Sequence, residues 1–260
     1  MNCMEMKLVK GMAVGFLAGC LLAGCSSGYS LAGVEGGRIA ITDKYDRNTD
    51  PEALNILKPY QQKVDSIMKP VIGHSAKALS AYRPESPLSN WIADVLRQSA
   101  VRAIGKPADV AVMNMGGIRN AMPEGEITYG TIYEIAPFEN ALCVLTMDGA
   151  TLKELFAEIA SVHGEGLSGA ALQIDEEGNL LDAKVNGRPV EEKKVYTVAT
   201  IDYLAEGNDR MMAFRKAQSK TFPKDALLRG LLLDAVKQYE QKGQFVSAQV
   251  EGRIKVSASN

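Results

Sequence analysis

The chain has 260 residues, of which 46% are hydrophobic and 23% charged, with 29 Lys and Arg against 31 Asp and Glu for a formal charge of -2. That is ordinary globular composition with ample apolar material for a core, and no repeat, heptad array or low-complexity tract interrupts it. The near-neutral balance argues against general nucleic-acid binding, which shows a basic excess.

At the start, Lys7 and Lys10 precede an apolar segment over residues 12–22. It is too short to cross a bilayer and has the layout of a secretory signal. Its end, Leu22-Ala23-Gly24-Cys25, resembles the lipobox of bacterial lipoproteins, which implies lipidation of Cys25 after removal of residues 1–24. A second copy ending at Cys20 would leave too short an apolar core; the alternative is an ordinary signal peptide with chance cysteines. Residues 25–36 are then the lipidated cysteine and a tether, and 37–260 a single domain anchored to a membrane at the bacterial cell envelope, facing the periplasm. Cys3 and Cys20 leave with the signal, so Cys143 has no partner, and neither a disulfide framework nor a thiolate zinc site is expected.

Residues 37–42 read as a strand. Asp50-Pro51 starts a helix whose Leu54, Leu57, Val64, Ile67 and Met68 recur at helical spacing, a face expected in the core. Residues 71–79 look extended. A second helix begins near Pro87 with Ser86 as N-cap, and Arg83 stands just upstream of it. Residues 127–135 form a short element, 141–147 a strand, and Asp148-Gly149 a turn before an amphipathic helix. Turns at Gly178 and Asn186-Gly187 separate further strands, and residues 195–201 are a strand. A helix over 223–241, with Leu227, Leu228, Leu231, Leu232 and Val236 inward, and a strand near 253–256 close the chain. Short strands interleaved with helices suggest α+β, with mixed sheets and packed helices.

The stretch Asn114-Met115-Gly116-Gly117-Ile118-Arg119 follows an apolar, strand-like run over residues 108–113. Its adjacent glycines permit positive φ or close approach to a ligand, Arg119 offers a planar cationic fork, and Asn114 can both donate and accept. The same residues would also serve as a tight turn with a solvated arginine.

Three segments in order, this loop, Pro137-Phe138-Glu139-Asn140, and Tyr203-Leu204-Ala205-Glu206-Gly207-Asn208-Asp209, resemble the C-terminal domain of the 5′-nucleotidase / UDP-sugar hydrolase family. The similarity runs from about Val71 to the C-terminus, and Arg83 to Asn90 is similar to that domain's opening arginine and helix start. The resemblance implies a nucleotide-recognition domain that takes a nucleoside or nucleotide. By position, Phe138 and Tyr203 would clamp the base and Asp209 would accept hydrogen bonds from ribose hydroxyls. Asn114 and Arg119, on the loop carrying Gly116 and Gly117, would with Arg83 hold ribose and phosphate oxygens. Tyr203 stands where the family has phenylalanine, and Asn208 and Arg210 where it has glycines. Asn tolerates left-handed φ, whereas Arg does not share that tolerance.

The family's catalytic domain, an N-terminal metallophosphoesterase with two metals, has no counterpart before Val71, and His74 and His163 are the only two histidines. The resemblance thus implies no catalytic or metal-ligating residue and no cofactor on this chain. Divalent metals would sit on a separately encoded metallophosphoesterase partner, the two serving nucleotide catabolism. The alternative function is a non-catalytic nucleoside-binding lipoprotein.

Overall fold

The computed structural model describes residues 31–47 and 49–257. The expected signal, Cys25 and the first part of the tether lie outside the described residues. The described residues up to Ala53 belong to one compact unit, and those from Leu54 onward to a second.

In the first unit, residues 37–42 are irregular instead of forming the expected strand, with Ile39 and Ile41 exposed. An extended segment with no partner strand closes no ladder, and its apolar side chains then fix nothing. Helix α1 (Pro51–Met68) begins in the first unit and from Leu54 belongs to the second; it starts as expected, Asp50 Oδ1 accepting from the amides of Glu52 at 2.8 Å and Ala53 at 3.3 Å. Its expected place in the core is not observed, since none of its residues is buried. Helical periodicity identifies a face that can be covered but not what covers it.

After α1 the second unit contains, in chain order, β1 (Val71–Ser75), α2 (Pro87–Ser99), α3 (Val101–Ile104), β2 (Val110–Met113), β3 (Gly125–Thr128), α4 (Tyr129–Ile135), β4 (Leu142–Asp148), α5 (Gly149–Ser161), β5 (Gly166–Ser168), β6 (Ala170–Asp175), β7 (Leu180–Val185), β8 (Arg188–Pro189), β9 (Val195–Ile201), α6 (Asp202–Ala205), β10 (Ser219–Thr221), α7 (Leu228–Gln241) and β11 (Ile254–Ser257). The strands make a five-stranded sheet in the order β10-β4-β9-β2-β5, a four-stranded sheet β11-β6-β7-β8, and the pair β1-β3. Helices packed on mixed sheets give the expected α+β architecture.

Local chemistry sets most boundaries. Ser86 Oγ accepts from the Ser89 amide and Pro87 occupies the first turn of α2, as the sequence indicates. Asp148-Gly149 is a helix start and not a turn: Asp148 Oδ1 accepts from the Thr151 amide at 2.8 Å and caps α5. Helix α7 begins at Leu228, five residues later than expected, because Asp225 sits at φ 54° and a left-handed residue cannot continue a helix. Leu227, expected inward, is accordingly exposed.

The five-stranded sheet positions the site. Strand β9 runs parallel to β2 (Val110 opposite Val198) and antiparallel to β4 (Leu142 opposite Ile201). The C-terminal ends of β2 and β9 and the start of β4 therefore share one rim. The chain leaves or enters that rim at Asn114, at Tyr203 and just after Asn140.

Candidate functional site

The rim encloses a cavity of about 290 Å³. Six of the eight expected ligand residues line it: Asn114, Gly116, Gly117, Phe138, Tyr203 and Asp209. Asn140 lines it too. Sequence reasoning did not single out Asn140, although its place two residues after Phe138, where the chain enters β4, was the available signal.

Asn114 is 4% exposed, and its Nδ2 donates to Asp209 Oδ2 at 2.6 Å. The Tyr203 hydroxyl donates to Asp209 Oδ1 at 2.9 Å, and this acceptor pushes the phenol's pKa upward. Each carboxylate oxygen can accept twice, so Asp209 keeps a lone pair on both for a ligand. The rings of Phe138 (49% exposed) and Tyr203 (42% exposed) present apolar faces to the same space, against the usual burial of a phenylalanine.

The Asp209 loop turns through left-handed residues at Asp209 (φ 53°) and at Arg210 (φ 67°), the latter against the preference of its residue type, and not at Asn208. Asn208 instead donates from Nδ2 to the Tyr203 carbonyl at 2.8 Å and closes the loop on itself.

Of the two glycines, Gly117 works by close approach rather than by positive φ. Met115–Gly117 form a 3-10 turn, and neither Gly116 nor Gly117 has a positive φ. A Cβ on Gly117 would lie 2.7 Å from both Asn114 Oδ1 and the Met113 terminal methyl. Only a hydrogen there lets the Asn114 side chain fold back to reach Asp209.

Two expected ligand residues do not line the cavity. Arg119 is exposed and donates from Nη1 to the Gly116 carbonyl at 3.1 Å, at the outer face of the loop. Arg83 is held elsewhere: its Nε donates to the Gly164 carbonyl at 2.8 Å and its Nη2 to the Glu165 carboxylate. Glu165, 2% exposed, also accepts from the Met115 amide and so ties the loop to the segment before α2. Burial raises the Glu165 pKa, opposed by the Met115 hydrogen bond and by Arg83. Sequence reasoning missed this carboxylate; its flanking glycines were the signal. A Cβ on Gly164 would run into the Pro84 backbone, and one on Gly166 would press on the Ser89 carbonyl.

Asn90 proves structural: it is buried and donates to Glu85 Oε1 at 2.6 Å and to the Gln249 carbonyl at 3.0 Å. A larger cavity, about 470 Å³, lies between α2, α7 and the segment approaching β11. Its charges are largely spent on each other, with Arg253 on Asp94 and Glu251 and Arg102 on Asp234. The smaller cavity, with its rings and free lone pairs, is the better ligand site. Among the described residues no group of three or more His, Cys, Asp or Glu could hold a metal ion. His74 Nδ1 lies 3.1 Å from Glu240 on the protein surface.

Residues 71–216 match the model of the 5′-nucleotidase, C-terminal domain. The chain is 33% identical over 175 residues to Endonuclease YhcR of Bacillus subtilis, an alignment covering 64% of this chain and 14% of that protein. It is 29% identical over 179 residues to Silent protein UshA(0) of Salmonella typhimurium, covering 66% of this chain and 32% of that one. The solved 5′-nucleotidase precursor of Thermus thermophilus superposes with a TM-score of 0.68 at 27% identity, over 79% of this chain and 43% of its own. The chain thus spans only a minor part of the length of each of these proteins.

Proposed function

The chain belongs to the 5′-nucleotidase C-terminal domain family, and from that premise we propose that it recognises a nucleoside or nucleotide in the cavity at the β2–β9–β4 rim. Phe138 and Tyr203 stack on the base, a contact of about 1 to 3 kcal/mol per stacked base in comparable sites. Asp209 accepts from ribose hydroxyls through its remaining lone pairs. Asn114 holds that carboxylate in place, and Arg119 swings from the Gly116 carbonyl to meet a phosphate. Arg83 contributes through Glu165 and the loop. The observation that carries this reading is the Asp209 carboxylate, fixed by Asn114 and Tyr203 beside two half-exposed aromatic rings.

Hydrolysis, on this reading, belongs to a separate metallophosphoesterase that binds the chain and brings divalent metals and the attacking water. Its support is that the matched family model is that of the C-terminal domain alone, and that a two-metal hydrolytic site needs a dense ligand set of its own. Lipidation at Cys25 would place the assembly at the envelope membrane, facing the periplasm.

Calorimetric titration of the full chain with adenosine and AMP tests the reading. Binding that weakens in Phe138→Ala and Asp209→Ala, with AMP left intact until a metallophosphoesterase is added, is the expected result. Absence of binding to any nucleoside or nucleotide, or AMP hydrolysis at an enzymatic rate by the chain alone with Mn²⁺ or Zn²⁺, would sink it.

A further inference from the structure

Phe138 lies on a short irregular segment between α4 and β4, and half its ring is exposed. An exposed ring on such a segment does not hold itself; something behind it must fix the backbone. That role falls to the start of α7, outside the residues 71–216 that carry the family match. The Leu228 amide donates to the Asn140 carbonyl at 2.8 Å, and the Leu142 amide to the Ala226 carbonyl at 2.8 Å. Next to these seams, one residue further along the chain, is Arg229, whose side chain is only 13% exposed.

The Arg229 guanidinium meets three of Phe138's neighbours. Its Nη1 donates to the carbonyls of Pro137 at 3.1 Å and Ala136 at 3.4 Å, and its Nη2 lies 3.9 Å from Glu139 Oε1. Its Cζ stands 4.7 Å from the centroid of the Tyr133 ring, a cation–π contact that fixes the plane of the fork. Carbonyls at a helix end need donors, and a planar fork that serves two of them also fixes their relative orientation. Residues 136, 137 and 139 are thereby held from one side, and the intervening Phe138 side chain is left to project into the cavity.

We propose that Arg229 is a positioning residue for the aromatic wall of the ligand cavity, acting through the backbone of residues 136–139 rather than by touching ligand. This rests on the nucleoside-recognition reading above for its functional consequence, but not for the structural linkage itself. It predicts that base-stacking affinity depends on Arg229 only while Phe138 is present.

The experiment has two arms on the full chain. In the first, hydrogen exchange of peptides covering residues 136–140 and 114–119 is compared between wild type, Arg229→Met and Arg229→Lys without ligand. Exchange over 136–140 should speed about tenfold in Arg229→Met and less in Arg229→Lys, with 114–119 unchanged. Equal rates in all three proteins, or equal acceleration in both segments, would overturn the proposal. Arg229→Lys keeps the charge and the apolar stem, so this arm stands even where Arg229→Met folds poorly.

In the second arm, AMP and ribose 5-phosphate are titrated into wild type, Arg229→Met, Phe138→Ala and the double variant. AMP affinity should fall about tenfold in Arg229→Met, less than twofold further when the change is added to Phe138→Ala, and not at all for ribose 5-phosphate. Equal penalties in both backgrounds would show that Arg229 acts independently of Phe138, against the proposal. A wild type that binds no nucleotide refutes the recognition reading, while the exchange arm still decides whether Arg229 positions the segment.

Discussion

Asn114 and Asp209, 95 positions apart in the chain, meet through a hydrogen bond of 2.6 Å between Nδ2 and Oδ2. The asparagine is buried and the aspartate exposed, so the amide acts as a fixed post for a carboxylate that otherwise faces water. Asn114→Ala should cost about 1.5 to 3 kcal/mol of unfolding free energy, for a lost hydrogen bond to a charged group. AMP affinity should fall about tenfold as Asp209 loses its anchor, some 1.4 kcal/mol. Urea denaturation and calorimetry check the two numbers, and unchanged affinity would show that the post is not needed.

The adjacent glycines should separate in their responses. An alanine Cβ at position 117 would press on the Asn114 amide oxygen and on the flexible end of Met113. Met113 can yield, but the amide is pinned to Asp209, so Gly117→Ala should cost about 1 to 3 kcal/mol of stability and weaken ligand binding with it. At Gly116 the nearest atoms to a new Cβ are 3.8 Å away. Gly116→Ala should therefore change stability by no more than about 0.5 kcal/mol. Thermal melts of the two variants, run side by side, distinguish them.

Glu165 gives the protein a pH dependence of definite sign. Burial raises its pKa above the ordinary glutamate value of 4.5, and Glu158 is raised mainly for the same reason. The folded state thus holds protons that the unfolded chain has released. The resulting stabilisation is fully present below 4.5 and is lost as pH rises through the raised folded values. Asp148 and Asp175 are shifted the other way, with effects confined below the ordinary aspartate value of 3.8. Urea midpoints measured upward from pH 4.5 should decline for wild type and decline less for Glu165→Gln. A variant with the wild-type slope would assign the effect elsewhere.

Local chemistry was readable from the sequence and long-range pairing was not. Ser86-Pro87 announced its helix because a cap and a fixed φ act within a single turn. The three segments around Asn114, Phe138 and Tyr203 were legible through their joint resemblance to a known domain, and the β2–β9–β4 register brings them together. Arg83 was misplaced because an arginine's spacing cannot reveal the buried carboxylate of Glu165, 82 residues away. Asp148-Gly149 reads as a turn because Asp-Gly serves turns and helix caps alike, and the residues C-terminal to the pair decide between them. The exposed face of α1 shows the same limit at larger scale: amphipathic spacing records a capacity to be buried and carries no address.

The shared rim of β2, β9 and β4 also divides the domain's labour by distance along the strands. The opposite ends of these strands carry the segments before Val110, after Asp148 and before Val195, a strand's length from any ring or carboxylate of the cavity. That far side has its own fixed contacts, with Asp109 accepting from Thr197 and Gly149 packed on the Glu191 backbone. The two ends of one sheet are thus held by separate sets of contacts, and the cavity's rim is built without any residue of the far end.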